Sequence, residues 1–161
     1  MTTATLPQVG SYQLVPSLSS ITFAIKKLGI FTIHGGFEIR SGRGVVGEEG
    51  ITVFAEIDAA SFVTGNKHRD KQVRGRSFLD SARHPKIIFD GTVSADTVSG
   101  VLSFRESAEI ELIVDEVRTK GPRVDVRAHG QVSRSALGVP TGRPVIGDLL
   151  DIGLTVSWTR G

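Results

Sequence analysis

Apolar and polar residues alternate along most of this chain, which is the two-residue period of a strand with one buried face. In "SITFAIKKL" the residues Ile21, Phe23 and Ile25 fall on one face, and "FTIHGGFEI" continues with Phe31, Ile33, Phe37 and Ile39. "ITVFAEID" offers Ile51, Val53, Ala55 and Ile57. "KIIFDGTVS", "VSGVLSF", "AEIELIVDEV", "RVDVRAHGQVS" and "DIGLTVSW" follow, each bounded by Gly, Pro, Asp or Ser. Eight or nine short strands with turn residues between them predict an all-β sandwich or barrel. Only Asn66 to about Gly75 departs from the period for longer than a turn. There a helix is expected, capped by Thr64 or Asn66, whose short polar side chains can accept from free helix N–H groups.

Closing eight antiparallel strands removes exposed edges and leaves an interior just wide enough for packed side chains or one slender ligand. The inward faces are almost purely aliphatic and Phe, with Gly35, Gly91, Gly100, Gly130 and Gly153 inside strand patterns. A glycine in a strand weakens it unless a bend or a close approach uses the missing side chain. Two readings follow: the glycines open an apolar cavity, or they turn barrel corners around a filled core.

Composition narrows the setting. At 161 residues the chain is expected to form one domain over 1–161, with 1–11 as a flexible N-terminal segment. No run approaches the roughly 20 apolar residues of a membrane helix. With no cysteine there is no disulfide, thiolate metal site or thiol nucleophile. The start, "MTTATLPQVGSYQLVPS", lacks a basic region followed by an apolar one, so no secretory signal is read and a cytoplasmic protein is expected. A net charge of +2 does not imply a nucleic-acid partner.

Motifs for chemistry are sparse. "GRGVVG", Gly42 to Gly47, matches a dinucleotide fingerprint in letters, but it runs into "EEGITVF", another strand, where the mechanism needs a helix N-terminus. A flexible hairpin is expected there instead. The four histidines, His34, His68, His84 and His129, form no metal-ligand spacing, so no metal and no cofactor are expected. His129 alternates with Ala128 and Gly130 and should face solvent. The densest group of ionisable residues is "TGNKHRDKQVRGRSFLD", Thr64 to Asp80. On a helix, Lys67, Lys71 and Arg74 share a face, and Asp70 and Arg74 form an i, i+4 pair. Base-stacking aromatics are absent before Phe78, which argues against nucleic acid. What remains is a solvated face, an acid–base set at His68, Arg69 and Asp70, or a basic face that meets an anionic head group at a cavity mouth.

The order of these segments resembles the YceI-like family, also called polyisoprenoid-binding or lipid-binding YceI proteins. The resemblance runs from about Tyr12 to Trp158 and is most specific in "SFVTGNKHRD", "FLD" and "HPKIIF". It implies a lipocalin-like, extended antiparallel eight-stranded β-barrel with one short α-helix, often dimeric. It also implies an elongated apolar tunnel for an isoprenoid or other long-chain amphiphile, and no catalytic chemistry. The chain departs from that family where an Asp and two His are usual: Val15, Leu18 and Lys27 stand there. If those positions border the tunnel mouth, head-group preference should differ.

The expected ligand-binding residues are Phe23, Ile25, Leu28, Phe31, Ile33 and Phe37 from the first strands. Ile57, Phe62, Phe78 and Phe89 come from the middle, and Leu102, Leu112, Ile152 and Leu154 from the later strands. Lys27, Arg69 and Arg74 are the candidate head-group contacts, and Arg69 with Asp70 is expected to be a structural pair holding the helix cap. The expected function is non-enzymatic binding, storage or transport of a polyisoprenoid, isoprenoid quinone or fatty-acid-like lipid. The alternatives are an enzyme for a hydrophobic substrate and a solid-cored structural domain. A homodimer and transient membrane contact are the further partners considered.

Overall fold

The alternating segments pair into a single antiparallel sheet that closes on itself. The computed structural model describes residues 7–142 and 145–161. Along the chain these form β1 (Gly10–Leu14), β2 (Ser20–Lys27), β3 (Phe31–Gly47), β4 (Gly50–Val63), α1 (Lys67–Arg74), β5 (Lys86–Ser94) and β6 (Thr97–Ser103). β7 (Ser107–Lys120), β8 (Arg123–Ser133) and β9 (Leu149–Arg160) complete the described strands. The sheet runs β3-β2-β9-β8-β7-β6-β5-β4, and pairing of β4 with β3 closes it into a barrel.

The short β1 does not add a ninth stave. Gln13 pairs with Arg43 and Thr159, while Ile21 of β2 pairs with Phe37 and Leu154, so β1 and β2 occupy the same gap between β3 and β9. A single 3₁₀ turn, Pro16–Leu18, interrupts this stave. Proline fixes its own φ and lacks a ladder donor, so a break there costs little. Ser19 stitches the break to β9: its hydroxyl donates to the Val15 carbonyl at 2.8 Å and accepts from the Ser157 N–H at 3.1 Å. Of the segment 1–11 expected to be flexible, the last two residues are held in the sheet. Gly10 and Ser11 pair with Val46 and Val45, and Tyr12 Oη donates to the Gln8 carbonyl at 2.7 Å. Residues 1–6 lie outside the described ones.

A second correction concerns "GRGVVG". It is the end of β3, paired with β4 from Gly42↔Ala55 to Gly47↔Gly50, and the turn is Glu48–Glu49. A β-carbon at Gly42 would stand 2.9 Å from Leu14 Cβ, so the missing side chain admits β1.

The in-strand glycines decide between the two sequence readings. A β-carbon at Gly35 would stand 2.5 Å from Phe23 Cζ, and one at Gly100 would stand 2.8 Å from Phe89 Cζ and 2.4 Å from the Asp90 carbonyl oxygen. At Gly91 the same Phe89 ring would be 2.7 Å away, and at Gly130 the Leu112 side chain 2.8 Å. Large inward side chains thus fold sideways against bare backbone. Their rings line the wall and do not fill the axis. Gly153 differs, because it pairs with Thr22 and His129 on the outer face.

Helix α1 begins where the sequence predicts. Asn66 is the cap, its side chain accepting from the Arg69 N–H at 3.0 Å, and the helix ends at Gly75. Val73, Phe78 and Leu79 pack the helix and the segment after it onto Phe23, Ile25 and Phe62 at one end of the barrel. This is the helix end. The opposite end carries the β3–β4, β5–β6 and β7–β8 turns and is the hairpin end.

Candidate functional site

Inside the barrel the inward faces enclose a cavity of about 920 Å³ that runs from the helix end to the hairpin end. Ligand sites span roughly 300–1,000 Å³, whereas packed interiors have few voids larger than a water molecule. A solid core is not what these residues build. Phe23, Ile25, Ile33, Phe37, Ile57, Phe62, Phe78, Phe89, Leu102, Leu112, Ile152 and Leu154 all line this cavity, as alternation predicts.

Leu28 and Phe31 do not line it, and the prediction for them is corrected. They are 56% and 59% exposed. Pairing of β2 with β9 ends at Ala24 and pairing of β3 with β4 begins at Gly36, so the β2–β3 hairpin overshoots the rim. Strand phase places Phe31 inward, but it stands five residues before β3 first pairs with β4. Other wall residues were not singled out as site residues. Ile39, Ile110, Val132 and Val156 share the same alternation, while Tyr12 and Leu14 belong to a strand too short to show a period.

At the helix end the wall is aromatic. Phe23 and Phe62 stack with ring centroids 5.4 Å apart, and Phe37 closes the trio at 5.7 and 5.6 Å. Such offset and tilted contacts suit the ring quadrupoles and hold the rings in place. The polar lining here comes from Lys27, Thr64, Arg69, Gln72 and Arg134, the last held by the carbonyls of Val139, Thr141, Ile146 and Gly147. Lys27 extends from the last paired position of β2, opposite Phe31, and has no ion-pair partner among the described residues. Val15 and Leu18 do not line the cavity; they lie at the 3₁₀ break. Of the three departures from the family pattern, only Lys27 borders the tunnel.

Arg69 and Asp70 meet through Thr64. Asp70 is 2% exposed and accepts from the Thr64 N–H at 2.9 Å and from the Thr64 hydroxyl, while Arg69 Nε donates to that hydroxyl oxygen at 2.9 Å. Burial pushes the Asp70 carboxyl up. The two hydrogen bonds from Thr64, with the nearby Arg74 and Arg69 charges, outweigh that and hold it below the usual carboxylate range. The expected direct Arg69–Asp70 pair is thus a three-membered network. The expected Asp70–Arg74 ion pair does not form, because Arg74 Nε donates to the Phe62 carbonyl at 3.1 Å. Arg74 consequently lies outside the cavity lining and is withdrawn as a head-group contact, while Arg69 lines the cavity. His68 is exposed and is not part of the wall, so the three residues do not assemble an acid–base set.

At the hairpin end Asp96, Asp115 and Glu116 border the cavity. Asp115 meets His129 Nδ1 at 2.8 Å on the outer surface, where alternation puts that histidine, and Glu116 lies within 3.0 Å of Arg118 and 3.6 Å of Arg127. Among the described residues no group of His, Asp and Glu could hold a metal ion.

Solved structures share this architecture. A polyisoprenoid-binding domain from Saccharophagus degradans, implicated in plant cell wall breakdown, superposes with a TM-score of 0.76 at 16% identity, covering 96% of this chain and all of that one (100%). BcnA from Burkholderia cenocepacia gives 0.72 at 20% identity, covering 89% and 98% of the two chains. The YCEI protein of Campylobacter jejuni gives 0.65 at 16% identity, covering 84% and 90%. At these identities the likeness speaks for the fold. No curated protein sequence matches the chain. The family model for the YceI-like domain matches residues 12–158, the span from the first strand to the last, and the chain belongs to the YceI-like family.

Proposed function

We propose that this barrel binds a long-chain amphiphile, with its apolar tail along the tunnel and its polar head at the helix end beside Lys27 and Arg69. The observation that carries the reading is the through-running cavity of about 920 Å³ walled by aliphatic and Phe side chains. A polyisoprenoid, an isoprenoid quinone or a fatty-acid-like lipid fits that chemistry, and the similar domain from Saccharophagus degradans is named for polyisoprenoid binding. Each buried methylene contributes about 0.8 kcal/mol, so a five-carbon isoprene unit adds roughly 3 to 4 kcal/mol before ordering costs. Several units would bind tightly with few polar contacts, so the tunnel selects for length and apolarity.

The head group is where selectivity enters. Lys27 and Arg69 are basic side chains that both border the cavity at one end, which favours a phosphate or carboxylate head over a neutral one. The reading is of non-enzymatic storage or transport, and it is supported by Asp70 and Arg69 being engaged with Thr64 in the turn that leads into α1. Denaturing organic extraction of purified protein, followed by mass spectrometry, should release one hydrophobic compound in stoichiometric amount. Repeated extractions that release none, together with no uptake of added polyisoprenoid or fatty acid, would sink the reading.

A further inference from the structure

The β2–β3 hairpin that overshoots the rim is apolar where solvent reaches it. Ile30 is 78%, Phe31 59% and Leu28 56% exposed, and Val145, 46% exposed, lies beside them, its carbonyl accepting from the Leu28 N–H at 2.7 Å. Contiguous exposed apolar residues mark surfaces that meet a partner or a membrane. The tip is held out firmly. Lys27 bridges to Ile146, and the Gly147 N–H donates to the Lys26 carbonyl at 2.8 Å. It is also conformationally costly. Leu28 and Gly29, the central residues of the turn, have φ of +56° and +70°, a backbone that Asn-Gly adopts readily and a leucine does not. Leu28 holds this conformation while more than half exposed, so burial offers little return for leucine at that position.

Charge identifies the occupant. Lys26 and Lys27 stand at the base of the tip, Lys26 with Nζ 3.0 Å from Thr32 Oγ1 and Lys27 unpaired among the described residues. Of the carboxylates at this end, Asp70 and Asp80 are buried and Asp148 is hydrogen-bonded by Ser133 and Ser135, while the exposed Asp151 stands opposite Ala24 and accepts from Gln131, and the exposed Glu106 lies in the β6–β7 turn. Apolar side chains flanked by lysines, whose stems lie along apolar surface while their heads reach phosphates, match the boundary of an anionic bilayer.

We propose that this tip is a membrane-contact finger that seats the helix end of the tunnel against a bilayer bearing anionic phospholipids. Ile25, Lys27 and Ile33, at its root, line the tunnel. Seating the tip therefore sets the tunnel entrance against the source of a lipid.

Flotation of the full chain with vesicles tests this. Wild type should float with phosphatidylcholine vesicles containing phosphatidylglycerol and stay in solution with phosphatidylcholine alone. Leu28→Asn with Phe31→Thr should weaken flotation by about tenfold or more, with thermal stability equal or higher because asparagine suits the turn. Lys26→Gln should weaken it less and flatten its salt dependence. Wild type that does not float, a double variant that floats equally, or a concentration-dependent dimer abolished by the same substitutions with no flotation, would overturn the proposal. Extraction of the same samples keeps the two readings apart. Flotation without an extractable lipid counts against the tunnel reading alone, and an extractable lipid without flotation counts against the finger alone.

Discussion

The two ends of the barrel hold an aspartate apiece in similar chemical company, and they use it differently. At the helix end Asp70 is buried and takes two hydrogen bonds from Thr64, with arginines nearby but none in direct contact. At the hairpin end Asp125 meets Arg123 face on, at 2.8 and 3.1 Å, and also accepts from the buried Ser157 hydroxyl at 2.7 Å. Arg123 is the main influence holding the Asp125 carboxyl below its usual range, against burial, with Ser157 adding to it. The first aspartate organises backbone, fixing the β4-to-α1 turn under the aromatic trio. The second joins β8 to β9 through Ser157 and pairs with an arginine of its own strand. A buried acceptor that orders the chain costs more to lose than an ion pair open to water.

The largest test of that difference is in the apolar wall. Phe62→Ala, at the helix end, should lower stability by about 3 to 5 kcal/mol, since it empties the middle of the Phe23–Phe62–Phe37 trio. Val46→Ala, at the hairpin end, should cost under about 2 kcal/mol for the two methyl groups lost. Urea unfolding of both checks this, and equal losses would erase the distinction between the ends.

Asp70→Ala comes next, at about 1 to 3 kcal/mol, because it strands the Thr64 N–H and hydroxyl in a buried turn. Its pH dependence follows from the lowered carboxyl. A group whose folded value lies below its ordinary 3.8 contributes stability that is fully present above that ordinary value and lost as pH falls through the folded one. Wild type should therefore lose stability on acidification through that window, and Asp70→Asn should flatten part of the loss in melts run as a pH series. Smallest is Arg123→Ala, expected to cost less than Asp70→Ala and to shrink further in high salt, since Arg123 is 43% exposed. An effect as large as that of Asp70→Ala would reverse the ranking of the two ends.

Much of this was legible from strand period alone. Phe23, Phe89 and Ile152 face inward because every second residue does, and the phase carries from one end of a strand to the other. Period says nothing about height, so it puts Phe31 on a wall that stops short of it, and Leu28, between the two strands, has no period to place it. Nor does it reveal β1, where five residues beside a proline turn show too little alternation to read. The Thr64–Arg69–Asp70 network escaped for another reason. Helical spacing pairs Asp70 with Arg74, but the buried carboxylate turns to the hydroxyl and N–H of Thr64, a residue before the helix, while Arg74 bonds the Phe62 carbonyl.

The stave shared by β1 and β2 also bears on how the molecule is made. Both strands lean on β9, and the Ser157 N–H reaches Ser19 across 138 residues of sequence. Contacts that distant form late, because the loop between them must close before they contribute anything. During synthesis the earlier strands can pair in a curling open sheet, but the wall lacks its last stave until Leu149–Arg160 has emerged. The enclosed space therefore comes into being all at once, when β9 has emerged, and no product that stops short of it has an inside.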